Sequence, residues 1–162
     1  MKKVCPCCLH IFDNTPIDYC PLNGCSAELV ELDDMLVDVM ILFWEIGIGT
    51  RYCCAGHLYE ERFQSYIMFE DIWDDEFLLS FEEFRSLLAE IASKNKHIEI
   101  GIINDSVEDT QTFIVSCSAE HAEDKKQILA KQAEFVSFLY DVAAEIDRLI
   151  CADCKIMGEG VV

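Results

Sequence analysis

Hydrophobic positions along the chain follow two rhythms. From Met35 to Trp44 they run nearly all round a helical turn, which predicts a helix covered on several sides. Gly47 and Gly49 follow it, and glycine supplies the left-handed turn that ends helices. Thr50 to Cys54 predicts a short strand, Ala55-Gly56-His57 breaks it, and Ser65 to Phe69 resumes with β-forming residues. Ser80 and Glu83 form a capping box ahead of Phe81, Phe84, Leu88 and Ile91, so a second helix is expected over 81 to about 93, ended by Lys94-Asn95-Lys96. His97 to Ile103 alternates, with Ile98, Ile100 and Ile102 on one face. Asn104-Asp105-Ser106 turns the chain, and Thr112 to Cys117 returns with Phe113, Val115 and Cys117 inward, as a hairpin. A last helix is expected over about 122 to 150, its stripe running Leu129, Ala133, Val136, Leu139, Ala143, Ile146 and Ile150. Cys151-Ala152-Asp153-Cys154 lies at its end, and a tail follows.

Before all this, Cys5-Pro6-Cys7-Cys8 and Cys20-Pro21-Leu22-Asn23-Gly24-Cys25 are two cysteine turns separated by Ile11, Phe12 and Tyr19, enough for two tiny strands. A peptide this short cannot bury a core, but a Zn²⁺ held by four thiolates can replace one. The ligands expected are Cys5, Cys8, Cys20 and Cys25, with Cys7 spare and able to exchange roles with Cys5. Such a closed site is structural. Leu29 to Leu32 alternates and extends the ribbon, and Asp33 or Asp34 is placed to cap the first helix. The expected fold is therefore α+β: an N-terminal zinc ribbon over 1–30, then αββαββα over 31–155 with a four-stranded, mostly antiparallel sheet covered mainly on one face, and a tail over 156–162.

Composition narrows the function. Of 162 residues, 52% are hydrophobic, enough for a core, and no stretch reaches the roughly 18–20 apolar residues of a membrane span. The basic start, Met1 to Pro6, has no apolar segment behind it, so no signal peptide is expected and the protein reads as cytoplasmic. In that setting ten cysteines point to metal rather than disulfides. The net charge of -19, from 31 acidic and 12 basic residues, argues against direct nucleic-acid binding. It suits a solvated surface, or a nucleic-acid mimic that occupies a basic site on a host protein.

The helix-to-strand corner behind the ribbon carries the candidate ligand site. Arg51, His57 and Arg62 bring donors into an acidic chain, amides around Gly56 could cradle a phosphate, and Tyr52, Tyr66, Trp44 or Tyr59 could stack on a nucleotide-like molecule. Against this, isolated arginines usually pair with surface carboxylates such as Glu60 and Glu61. Cys54 and His57 are spaced as a nucleophile and base, yet adjacent cysteines in a strand tend to be buried. Cys53 or Cys54 with His57 and the Cys151/Cys154 pair could form a second metal site. The acidic run Asp71 to Glu76, with Trp73 as anchor, could dock on a basic protein. The last helix is a candidate homodimer seam. These readings favour a non-enzymatic binding protein: capture of a small nucleotide-like ligand at the corner, or an acidic protein-directed inhibitor or adaptor.

Residues from about 4 to 70 also carry a resemblance. Cys5, Cys8, Cys20 and Cys25, then Gly49-Thr50-Arg51, Cys53-Cys54-Ala55-Gly56-His57 and Tyr66-Ile67-Met68-Phe69, resemble a family of small zinc-ribbon proteins of Firmicutes and their phages. The resemblance implies kinship and a zinc ribbon but no activity. In a phage-derived protein, ligand capture would suit an anti-defence role. A fainter likeness is to the wybutosine-synthesis methyltransferase family, in which a serine-cysteine-serine-glycine-arginine strand end is found. Here Cys53 replaces the serine and His57 the arginine.

Overall fold

The computed structural model describes residues 1–56, 63–70, 79–105, 110–119 and 125–158. Side chains at 51, 105, 110, 111, 119 and 153–158 lie outside that description, as do His57, Tyr59, Arg62 and the acidic run at 71–76.

Three short strands, β1 (Lys2–Val4), β2 (Ile11–Asp13) and β3 (Val30–Leu32), form an antiparallel sheet in the order β2-β1-β3. The ribbon sheet thus runs on to Leu32, and Val4 and Leu32 are buried in the main core. Then come α1 (Val37–Glu45), β4 (Thr50–Cys54), β5 (Phe63–Phe69), α2 (Phe81–Ala92), β6 (Ile98–Asp105), β7 (Thr110–Ala119) and α3 (Lys125–Gly158). This is the expected αββαββα, with a second antiparallel sheet in the order β4-β5-β7-β6.

Helix α1 ends as its glycine demands. Gly47 has φ +81°, its amide donates to the Trp44 carbonyl, and the Ile48 amide donates to the Phe43 carbonyl. That pair of bonds is the Schellman arrangement, which satisfies carbonyls the helix leaves open. At the other end Leu36 is the N-cap and no side chain caps it. The expected Asp33 cap does not form, because the Asp33 carboxylate accepts from the Ala55 amide at 2.8 Å. Asp34 instead lies 3.4 Å from the Met1 ammonium. At α2 the capping box does form: Ser80 and Glu83 exchange bonds between side chain and backbone.

Strand alternation sorts the central sheet into two faces. Cys53, Ile67, Val115 and Ile100 stand opposite one another across the four strands and face the helices. Tyr52, Met68, Ile114 and Gly101 form a row on the other face. A side chain at Gly101 would meet the Ile114 Cγ2 at 2.9 Å, so glycine lets that isoleucine lie across β6. On the covered face a chain of aromatic rings joins α1, β5, α2 and β7. Phe43 meets Phe69 edge-on at 5.5 Å, Phe69 meets Phe84 at 5.2 Å, and Phe81 stacks on Phe113 at 4.4 Å. Each such pair adds about 0.5–1.5 kcal/mol beyond the area it buries.

Three expectations shift in the second half. The buried stripe of α3 runs through Gln132, Phe135, Phe138, Leu139, Val142, Ala143 and Ile146, whereas Leu129 and Ala133 are exposed. The two phenylalanines outweigh the smaller residues in setting the helix rotation, since a large ring gains most from burial. Cys151 to Cys154 lies inside α3 rather than after it, because Ala152, Lys155, Ile156 and Met157 sustain helix and no breaker precedes Gly158. Asn104 and Asp105 extend the β6–β7 ladder, paired with Gln111 and Thr110, and do not turn the chain. No helix among the described residues is long and apolar enough to cross a membrane.

Candidate metal centre

The first cysteine turn sits between β1 and β2. Cys5 leaves β1 with its amide donating to the His10 carbonyl, and the Leu9 amide returns to the Cys5 carbonyl at 2.8 Å. Closing this loop places Leu9 in the left-handed region at φ 60°. The Cys8 amide then points at the Cys5 sulfur, 3.4 Å away. The second turn is held by the Cys20 amide on the Ala27 carbonyl and the Cys25 amide on the Leu22 carbonyl, with Gly24 at φ +85° making the bend. Lys3 ties the two halves together, donating to the Asp18 carboxylate at 2.8 Å and to the Ile17 carbonyl at 2.9 Å.

These two turns bring together the four expected sulfurs. Cys5 and Cys25 are 3.5 Å apart, Cys8 and Cys20 are 3.6 Å apart, and all four lie within 4.8 Å of one another. A tetrahedral ion with thiolate bonds of about 2.3 Å needs sulfurs about 3.8 Å apart, so the set fits a four-coordinate metal ion. Cys7 is exposed and lies outside the set, which settles the Cys5/Cys7 alternative for Cys5.

The thiols are poised unequally. Burial pushes Cys5 up, but amides of Cys8 and Cys7 and the thiols of Cys8 and Cys25 outweigh it and bring it down to about 7. Cys20 is pushed up to about 12, by burial first and then by the neighbouring sulfurs, against the Leu22 amide. Four sulfurs this close cannot all carry charge unaided, and a cation at their centre removes the conflict.

The candidate ligand corner is built differently. Gly56 has φ +84° and sits so close to the Phe63 ring that any side chain would collide with it. The Gly56 amide donates to the Cys54 sulfur at 3.3 Å, and the Ala55 amide is held by Asp33. The Ala55 carbonyl accepts from Ser65 Oγ at 2.6 Å and from Gln132 Nε2 at 2.9 Å, and Gln132 also reaches the Gly56 carbonyl at 2.8 Å. Of the amides around Gly56 expected to cradle a phosphate, the two among the described residues, Ala55 and Gly56, are engaged, one by a carboxylate. Tyr52 is exposed and Tyr66 half-buried, diagonal neighbours on the uncovered face of the sheet. Arg51 falls at a bulge in β4, its side chain outside the described residues with His57 and Arg62. Gln132 was not anticipated. Its signal was a lone amide one helical turn ahead of Phe135 and Val136 on a stripe otherwise apolar.

Cys53 is pushed up to about 12, by burial first and then by the charge of Asp33 and by Cys54. A thiol so placed stays protonated at neutral pH and is a poor nucleophile. Among the described residues the ribbon tetrad is the one group of three or more metal-type donors, and it does not include Cys53, Cys54 or Cys151. A cleft of about 380 Å³ separates the ribbon from the sheet, lined by Pro6, Val30, Trp44, Thr50 and Glu70. No family model, curated protein or solved structure matches the chain.

Proposed function

We propose that this chain is a non-enzymatic binding protein in which a structural zinc ion holds the ribbon and the acidic α+β body engages a cationic protein partner. The closed set of four sulfurs carries the first half. Zinc suits four cysteine ligands at these separations, and four protein ligands leave it no open position for a substrate. Cys53, neighbour of the thiol spaced to pair with His57, stays protonated and is itself a poor nucleophile. The choice of a cationic protein over a nucleotide-like anion rests on the corner: its described amides, Ala55 and Gly56, are occupied, and Asp33 sets a negative charge beside it.

Native mass spectrometry of the purified chain tests the reading. One zinc per chain with no co-purified anion is expected. A nucleotide-like mass released by substitution of Arg51 or His57 would return the function to ligand capture at Arg51, Tyr52, His57, Arg62 and Tyr66. A zinc-free folded chain would remove the metal half.

A further inference from the structure

Helix α3 has a groove on each side, and the two differ in charge. Between α2 and α3 two of the three acidic groups are answered, Lys94 lying 3.9 Å from Glu90 and Arg148 pairing with Glu145 at 2.5 Å, while Asp141 borders both grooves. Between α1 and α3 lies a cleft of about 590 Å³ with an apolar floor that includes Leu42, Ile46 and Tyr140 and a rim of Glu45, Asp141 and Asp147. No lysine or arginine lines it, and among the described residues none of those three carboxylates has an ion-pair partner. Leu42 and Tyr140 are each 37% exposed, in a region whose neighbours Phe43 and Leu139 are fully buried. Asp38 lies near enough to raise the Tyr140 phenol, after burial, so a fourth carboxylate faces the same side.

We infer that the α1–α3 groove is a docking site for a cationic amphipathic helix of a partner protein, and this rests on the protein-directed reading above. The floor offers apolar contact to one stripe of such a helix, and the rim answers lysines or arginines on its flanks. From Tyr140 to Asp147 the groove runs about 10 Å along α3, enough for two apolar side chains one turn apart. Charge decides the occupant. A second copy of this chain brings the same net charge of -19 and the same acidic rim, which opposes self-docking. A basic helix removes the repulsion among the carboxylates as it covers the apolar floor.

The test uses the full zinc-loaded chain and a synthetic helical peptide with leucines at i and i+4 flanked by lysines, beside a peptide of the same composition with that spacing scrambled. Binding is followed by fluorescence anisotropy. The patterned peptide is expected to bind at least tenfold tighter than the scrambled one, more weakly as salt rises, with a tenfold loss in Leu42→Ala and a larger loss in E45K/D147K, whose two positions line this groove alone. The control E31K/E99K changes net charge equally, away from the groove, and is expected to keep affinity within about threefold. Equal binding of both peptides, equal losses in the two charge variants, or no binding overturns the groove assignment. So does a dimer in native mass spectrometry that Leu42→Asp dissolves, since the groove would then be a self-interface. None of these outcomes alters zinc count or co-purified mass, so the broader reading stands or falls separately.

Discussion

The ribbon buries Cys5, Cys20 and Leu29 as its own cluster, whereas the body behind it buries Phe43, Phe69, Phe84, Phe113, Phe135 and Phe138 along with some fifteen aliphatic and small residues. Both are antiparallel sheets. One is too small to order itself by removing apolar surface from water, and a metal ion held by its four sulfurs would supply the missing free energy. The other gains that energy across many contacts, the largest share of it from its phenylalanine rings. The two meet where Val4 and Leu32 enter the main core and where Asp33 holds the Ala55 amide. The difference teaches where each part is vulnerable: the ribbon to the loss of one ion, the body to the loss of one large ring.

The largest effect expected is from the metal. Structural zinc in small fingers contributes on the order of 10–16 kcal/mol near pH 7, so chelation should unfold the ribbon outright. Hydrogen exchange should then show lost protection at Leu9, Cys20, Cys25 and Leu29, with β5 and β7 still protected. Equal loss in both regions would erase the contrast. Phe69→Ala reverses it. Phe69 touches both Phe43 and Phe84, and its removal should cost about 3–5 kcal/mol in chemical denaturation with zinc content unchanged.

Between these lies the seam at the corner. Gln132→Ala strips a donor from the Ala55 and Gly56 carbonyls, at a cost of about 1–3 kcal/mol. Its effect should reach the ends of β4 and β5 before the ribbon, as measured by exchange at those amides.

Cys53 sharpens the comparison by pH. Its folded-state value of about 12 lies above the ordinary 9.0, so below pH 9 the thiol is protonated folded or unfolded and costs nothing. As pH rises from 9 towards 12 the unfolded chain ionises and the folded one resists, so stability falls. Cys53→Ala should remove that part of the alkaline slope. Near neutral pH Cys53 should alkylate more slowly than the exposed Cys7 and Cys151. Smallest is the cap of α2: Ser80→Ala should cost about 1 kcal/mol. The Ser80 hydroxyl and amide hold the Glu83 carboxyl below its ordinary range, so this stabilisation is present above the unfolded pKa and fades as acid protonates the folded carboxylate.

The sequence by itself determined whatever depends on near neighbours. Cysteine spacing with proline and glycine between defined the candidate metal set, the Ser80–Glu83 pair began α2, Gly47 ended α1, and period-two alternation marked the hairpin. Each rests on a bond or steric rule spanning a few residues. Tertiary structure decided the rest. It rotated α3 to bury Phe135 and Phe138 and leave Leu129 outside, took Asp33 from its helix to serve a strand 22 residues on, and aimed Gln132 at carbonyls 76 and 77 residues away. It also assembled the acidic groove, whose walls come from helices at opposite ends of the body. Those choices turn on which surfaces meet once the sheet has formed, and local periodicity carries no record of a partner so far along the chain.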